Sequence, residues 1–80
     1  MFYAYILKSQ SSGTHYYGST EDLNKRLTDH NSGKVKYTKS RRPWFIHYSE
    51  AYDTRSEAYR REKFFKSIDG YLFLKEKGII

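Results

Sequence analysis

Cysteine is absent from the sequence, proline occurs once in 80 residues, and apolar residues form only short runs. Without cysteine, neither disulfide bonds nor a thiolate metal site can hold the fold. No apolar stretch approaches the roughly 20 residues that cross a bilayer, and no leader of basic and then apolar residues opens the chain. We therefore expect a cytoplasmic protein with no membrane association and one small domain, residues 1–80, of modest stability.

Acidic residues are also scarce. The chain has nine Asp and Glu but fifteen Lys and Arg, which gives a net charge of +6 and a pI near 9.6. Such a charge density favours polyanionic partners, either nucleic acid or an anionic membrane surface, and of these two we expect nucleic acid. Aromatic residues, in contrast, make up 19% of the chain. A small core needs bulky side chains to bury enough area, and part of this aromatic set is available for base stacking or catalysis.

The strand pattern is clearest at residues 2–8, where aromatic and β-branched residues dominate and both faces of the alternation are apolar. A strand that is apolar on both faces belongs in the middle of a sheet. Turn residues at 9–14, followed by a short strand at 15–18, predict a hairpin. A third strand is predicted at 44–48, directly after Pro43.

Three helices are predicted between and after these strands. The first is capped by Ser19 or Thr20 and stops at residues 31–33, while the second starts from a capping box at residues 54–57. A break at residues 69–70 separates the third helix from the second. The predicted spans are thus about 21–31, 55–66 and 71–77. The resulting order is strand, strand, helix, strand, helix, helix, which indicates a small layered domain with a three-stranded sheet.

One acidic residue breaks the pattern of the second helix. Its inward stripe runs through Ala58, Glu62 and Phe65, so a carboxylate lies between two apolar positions. A partly desolvated carboxylate is costly unless it meets a cation. That cation is either an Arg in a structural pair or a divalent metal ion, and a merely lateral Glu is the third alternative. Glu57, by contrast, is explained by the capping box.

A second unusual group lies on the first helix and the hairpin. Arg26 and His30 are neighbours on one helix face, where they could bind a phosphate and move a proton. The alternative is that His30 caps the helix C-terminus as a cation. Tyr5 and Tyr16 lie on the two hairpin strands and could sit side by side, either as core residues or as site residues. Gly18 allows close approach of a backbone or a ligand.

Read together, these residues resemble the GIY-YIG nuclease superfamily. Tyr3-Ala4-Tyr5 stands at the first motif of that name and Tyr16-Tyr17-Gly18 at the second, followed by Arg26, by His30 and by the acidic helix at 58–62. The segment at 34–43, with its Tyr-Thr pair and its Arg-Arg-Pro triplet, is similar to the small single-domain bacterial branch of the superfamily. The resemblance covers essentially the whole chain.

The resemblance implies an α+β fold, with a three-stranded antiparallel sheet flanked by helices, and metal-dependent hydrolysis of DNA phosphodiesters. Glu62 would be the single carboxylate ligand of Mg²⁺ or Mn²⁺, which keeps several waters. Arg26 would hold the scissile phosphate. Tyr5 and Tyr16 would position or deprotonate the attacking water, with His30 assisting, and the resemblance does not decide which tyrosine is the base.

Basic residues indicate how DNA would be held. The span from 34 to 42 has five basic residues and no acidic one, which predicts an exposed loop that contacts phosphates with weak sequence preference. Such an activity would suit DNA repair or recombination, and RNA remains a possible substrate. The residues predicted to contact nucleic acid are Gly18, Lys34, Lys36, Lys39, Arg41, Arg42, Arg60 and Arg61.

Two questions stay open at this point. Ser19 follows the second motif, where excision-repair members of the superfamily carry a Lys that can assist the base. The site could therefore be slow, and the chain could be a non-catalytic nucleic-acid-binding module that keeps the fold. A nuclease of this size could also require a second copy of itself or a protein partner to find its target.

Overall fold

The central strand of the sheet is the one that is apolar on both faces. In the computed structural model, which describes all 80 residues, strands β1 (Phe2–Ser9), β2 (His15–Thr20) and β3 (Trp44–Tyr52) form one antiparallel sheet in the order β2-β1-β3. The predicted α+β architecture is therefore confirmed. The third strand is longer than predicted, because it pairs with the whole of β1 as far as the Phe2–Tyr52 pair.

The helices follow in the predicted order as α1 (Leu23–Asn31), α2 (Arg55–Phe65) and α3 (Ile68–Glu76), with a 3₁₀ turn at Lys39–Arg41. None of these helices has the length and apolar character needed to cross a membrane. The capping box that starts α2 is present, since the Thr54 hydroxyl accepts from the Glu57 amide and the Glu57 carboxylate accepts from the Thr54 amide, both at 3.2 Å.

The predicted caps of the first helix are wrong. Asp22 is the N-cap of α1, and its carboxylate accepts a hydrogen bond from the Lys25 amide at 3.1 Å. Ser19 and Thr20 are instead the last residues of β2, where they pair with Ala4 and Tyr3 of the central strand. Strand pairing therefore extends through the residues that local capping preference assigned to the helix.

The predicted break at residues 69–70 is also wrong. Helix α3 begins at Ile68 with Ser67 as its N-cap, so Gly70 lies inside its first turn. A β-carbon at Gly70 would collide with the carbonyl oxygen of Phe64 and would lie 2.6 Å from its carbonyl carbon. Glycine stands here because α3 passes very close to the end of α2, and not because the helix ends.

The sheet is covered on both faces. On one face, Ala4 and Ile6 of β1 pack with Phe65 of α2 and Leu74 of α3. On the other face, a second cluster lies beneath α1 and the loop before β3. Its members are Tyr5, Leu7 and Trp44, with Tyr16, Leu23, Leu27 and Ile46 packed against them. Because successive side chains of β1 and β2 alternate between these faces, each predicted site residue belongs to one face or the other.

Candidate active site

Tyr5 and Gly18 form the tightest contact of the hairpin. They are directly opposed in the β1–β2 register, and a β-carbon at Gly18 would lie 2.5 Å from the Tyr5 Cζ atom. Gly18 thus makes room for the Tyr5 ring, and its predicted contact with nucleic acid stays a prediction. Tyr16 pairs with Leu7, so the predicted side-by-side register of the two tyrosines is wrong, although both rings lie on the same sheet face.

A chain of hydrogen bonds starts at the buried Tyr5 hydroxyl. This hydroxyl lies 3.1 Å from His30 Nε2, and His30 Nδ1 lies 2.8 Å from the Thr38 hydroxyl. The Thr38 hydroxyl in turn donates to the carbonyl of Val35 at 3.3 Å. Tyr5, His30 and Thr38 are each no more than 1% exposed. Thr38, which the sequence predicts to lie on an exposed loop, therefore belongs to a buried polar network.

The direction of each bond follows from the end of this chain. The Val35 carbonyl can only accept, so the Thr38 hydroxyl donates its proton to that carbonyl. The Thr38 hydroxyl oxygen then accepts from His30 Nδ1. The proton of neutral His30 is consequently on Nδ1, which leaves Nε2 as an acceptor for the Tyr5 hydroxyl proton. Thr38 thereby fixes the tautomer of the imidazole.

Burial keeps both ring systems uncharged. Desolvation, together with the nearby Arg26 guanidinium, lowers the pKa of His30 to about 4. Desolvation raises the pKa of Tyr5 to about 12, against a lowering contribution from Arg26. The alternative that His30 is a cationic helix cap is therefore wrong, because a buried imidazole beside a guanidinium stays neutral at pH 7.

Arg26 lies on α1 with its guanidinium beside the Tyr5 hydroxyl. The neighbouring Tyr5 hydroxyl is the main reason why the pKa of Arg26 is raised. Tyr5 therefore donates to His30 on one side and faces the Arg26 guanidinium on the other. Arg26 also lines a charged cleft of about 490 Å³ together with Ser19, so it is open to a ligand.

Glu62 meets a cation, as its position on the apolar stripe requires. Its Oε2 atom accepts from Lys66 Nζ at 2.8 Å, and its Oε1 atom accepts from the Ser19 hydroxyl at 2.8 Å. The carboxylate side chain is 13% exposed, whereas that of Lys66 is 49% exposed. The partner is thus a lysine one turn further along α2, and not an arginine.

The donor set at Glu62 fits a hard cation that keeps most of its own water. No group of three or more His, Asp or Glu residues is close enough together to enclose a metal ion. One carboxylate with an adjacent hydroxyl is nevertheless a donor set that Mg²⁺ accepts, because this ion completes its shell with water and phosphate oxygens. The half-exposed Lys66 ammonium occupies Oε2, so a metal ion at this atom would compete with the ion pair.

The two halves of the candidate site lie on opposite faces of β2. Ser19 and Glu62 are on the α2 face, while Tyr5 and Arg26 are on the α1 face. Since β2 is an edge strand, the two halves meet around its open side. Tyr16 lies there, with its ring 4.9 Å from that of His30 and near enough to Lys66 and Arg26 to contribute to their raised pKa values.

The predicted phosphate-binding residues are distributed unequally. Lys34, Lys36, Lys39, Arg41 and Arg42 lie on the exposed loop and 3₁₀ turn before β3, and Arg60 is exposed on α2. Arg61 is engaged elsewhere, since its Nε atom donates to Glu50 at 2.7 Å and its guanidinium lies 4.6 Å from the centre of the Phe64 ring. The structure therefore separates Arg61 from the basic loop and from the site.

Thr38 and Lys66 were missed by sequence reasoning. Thr38 lies in a basic segment whose composition predicts full exposure, yet it is completely buried. Its backbone carbonyl accepts from the Trp44 indole at 2.9 Å, which helps to draw it inward. Lys66 stands four residues after Glu62, and that spacing on a helix was a signal available in the sequence.

Known proteins resemble this chain over most of its length. The sequence pattern of the GIY-YIG catalytic domain matches residues 1–69. The chain belongs to the GIY-YIG family. This is a family of endonucleases whose members typically use a divalent metal ion, so a nucleic acid is the substrate class that membership implies.

Similar individual proteins carry the name UPF0213, which states no activity. The chain is 48% identical to a UPF0213 protein of Bacillus pumilus over 66 residues, which are 81% of this chain and 66% of that protein. It is 41% identical to one of Halobacterium salinarum over 63 residues, 78% and 80% of the two chains. The solution NMR structure of a UPF0213 protein of Bacillus halodurans matches with a TM-score of 0.54 at 35% identity, over 95% of this chain and 84% of that one.

Proposed function

We propose that the protein is a metal-dependent DNA endonuclease with weak sequence preference. The observation that carries this proposal is the convergence of Arg26, Tyr16 and the Glu62 carboxylate around the open edge of β2. A cation that binds phosphate, a phenol and a ligand for a hard metal ion are the parts that phosphodiester hydrolysis requires. Weak sequence preference would suit a role in DNA repair or recombination.

Tyr5 is the positioning residue of the pair of tyrosines. Its hydroxyl is buried, bonded to His30 Nε2 and close to the Arg26 guanidinium, and its pKa of about 12 keeps the proton on oxygen at pH 7. It therefore holds the Arg26 guanidinium and the imidazole in fixed positions. Thr38 completes this support from the far side of the ring.

Tyr16 is the tyrosine that meets the attacking water. Its hydroxyl has no hydrogen-bond partner in the chain. Because this atom is also not buried, it is open to solvent. It lies close enough to both Arg26 and Lys66 to contribute to their raised pKa values, so a phosphate bound at this edge would meet both cations. We assign to Tyr16 the orientation of the water and to Arg26 the stabilisation of the phosphate charge that grows in the transition state.

Glu62 is the residue that would hold the metal ion, with Ser19 orienting its carboxylate through the 2.8 Å hydrogen bond. When bound, Mg²⁺ or Mn²⁺ supplies a Lewis acid for the phosphate and its water. The basic loop at 34–42 would hold the flanking phosphates, and its contribution should fall steeply with salt concentration.

The test is a cleavage assay on plasmid and branched DNA at low salt, with Mg²⁺ and Mn²⁺. Glu62→Gln removes the ligand charge at nearly constant size and should abolish cleavage while DNA binding persists. Arg26→Ala should lower the rate by about 10²–10³-fold, by analogy with the loss of one transition-state donor. Glu76→Gln, an exposed charge on α3, is the matched control and should leave cleavage unchanged.

Equal cleavage by wild type, Glu62→Gln and Arg26→Ala would contradict the proposal, because it would show a contaminating nuclease or a different site. The tyrosine assignment has its own comparison. Tyr16→Phe should lose more activity than Tyr5→Phe when both variants have the wild-type fold by NMR. The reverse order would move the water contact to Tyr5.

A non-catalytic nucleic-acid-binding module is the second candidate. It is favoured by the Lys66 ammonium, which already neutralises Glu62 in the place of a metal ion. This function predicts salt-sensitive DNA binding that is unchanged by EDTA and by Glu62→Gln, with no cleavage of any DNA. RNA of the same sequences belongs in the same assays, since the basic surface does not discriminate the two.

A further inference from the structure

A cleft of about 510 Å³ opens beside the candidate active site and shares Tyr16 and Lys66 with it, while its other lining residues have no role in the proposed chemistry. Its walls are mostly aromatic, and its lining residues are His15, Tyr16, Tyr17, Tyr37 and Lys66. Three of these residues are consecutive in β2, the edge strand of the sheet. The outer backbone groups of β2 therefore have no partner within the sheet and can bond to a ligand in the cleft.

Tyr37 is the exposed wall of this cleft. Its side chain is 72% exposed, and its ring lies 5.9 Å from that of Tyr16. A side chain this exposed adds little to the core, so core packing does not explain a large aromatic residue at this position. An exposed aromatic face next to a second ring is the arrangement on which a nucleobase stacks, whatever its sequence.

The cleft is continuous with the site through two of its residues. Tyr16 lines the cleft and reaches the neighbourhood of Arg26, and the Lys66 ammonium at its wall lies 2.8 Å from the Glu62 carboxylate. A base stacked on the exposed face of Tyr37 would thus have its own phosphates on the side of Lys66 and Arg26. A base inside a duplex is stacked on both sides and cannot present its face to Tyr37, whereas an unpaired base can.

We propose that this cleft binds the base of an unpaired nucleotide adjacent to the scissile phosphate. The inference rests on the proposed nuclease function and adds a substrate class to it. The protein would select DNA at frayed, gapped or single-stranded positions, where one base is free to enter. Selection would come from the aromatic walls, while the basic loop at 34–42 holds paired and unpaired strands alike.

Binding without metal tests this inference separately from catalysis. A short single strand with one 2-aminopurine, and its duplex, are titrated with protein in EDTA at low salt. Binding should quench the single-strand fluorescence as the base stacks. Tyr37→Ala should weaken single-strand binding by about 10-fold and duplex binding by less than about 2-fold, whereas Tyr37→Phe, which keeps the ring, should match wild type.

Three outcomes of the binding assay would overturn the inference. They are an equal loss of affinity for single strand and duplex in Tyr37→Ala, no loss of affinity for either, and a Tyr37→Phe variant that binds as weakly as Tyr37→Ala. The two proposals fail in different ways. Absence of cleavage together with a retained preference for the unpaired base would overturn only the nuclease function. Cleavage that is equal on paired and unpaired DNA, and unaffected by Tyr37→Ala, would overturn only the role of the cleft.

Discussion

Acid should destabilise this protein chiefly through His30, which the fold holds in its neutral form. The imidazole is fully buried, accepts from Tyr5 and donates to Thr38, and its pKa is lowered from 6.5 to about 4 by burial and by Arg26. In the unfolded chain His30 regains an ordinary pKa near 6.5. The unfolded state therefore binds a proton at a higher pH than the folded state does, and folding loses stability as pH falls below 6.5.

The size of the loss follows from the gap between the two pKa values. A gap of about 2.5 units corresponds to about 3 kcal/mol, of which about 2 kcal/mol is lost by pH 5 and the rest by about pH 4. Above pH 6.5 the contribution is fully present. For an 80-residue domain, this is a large share of a total stability of about 5–15 kcal/mol.

Urea unfolding of wild type and His30→Gln at pH 7, 6, 5 and 4 measures this term. The other ionisable groups are common to both proteins, so their contributions cancel in the difference. The wild type should lose about 3 kcal/mol more than the variant between pH 7 and pH 4. The His30 Cε1–H resonance of wild type should titrate near pH 4 and not near 6.5. The reasoning would be refuted if the free energy of unfolding changed equally with pH in wild type and His30→Gln and the His30 resonance titrated near pH 6.5.

Three substitutions test the local geometry. Gly18→Ala should displace the Tyr5 ring, which its β-carbon would overlap, and should cost about 1–3 kcal/mol in urea unfolding; an unchanged Tyr5 ring environment in NMR spectra would contradict this. Gly70→Ala should cost at least as much, because the collision is with the backbone carbonyl of Phe64 and not with a movable side chain; a cost below about 0.5 kcal/mol would be inconsistent with so close a helix contact. Thr38→Val should release the imidazole tautomer, seen as altered ring ¹⁵N shifts, whereas Thr38→Ser should retain it; unchanged shifts in the valine variant would show that another group fixes the ring.

Local sequence patterns were sufficient for much of the fold. The apolar alternation of residues 2–8 predicted a central strand, and the capping box at 54–57 predicted the start of α2. The stripe through Ala58, Glu62 and Phe65 predicted a carboxylate that needs a cation. These features depend on residues a few positions apart, whose geometry is fixed by the periods of helix and strand.

Contacts between distant parts of the chain decided the rest. The burial of Thr38 behind His30, the engagement of Arg61 by Glu50, and the passage of α3 over the end of α2 at Gly70 each join segments that the sequence separates. Composition assigned Thr38 to an exposed loop and Arg61 to a phosphate contact, because polar and basic residues are exposed on average. What the sequence by itself determined was the order of elements and the family motifs. Only the tertiary structure decided which polar groups are buried together, and so which tautomer, charge and partner each site residue has, because desolvation and hydrogen bonding act through space.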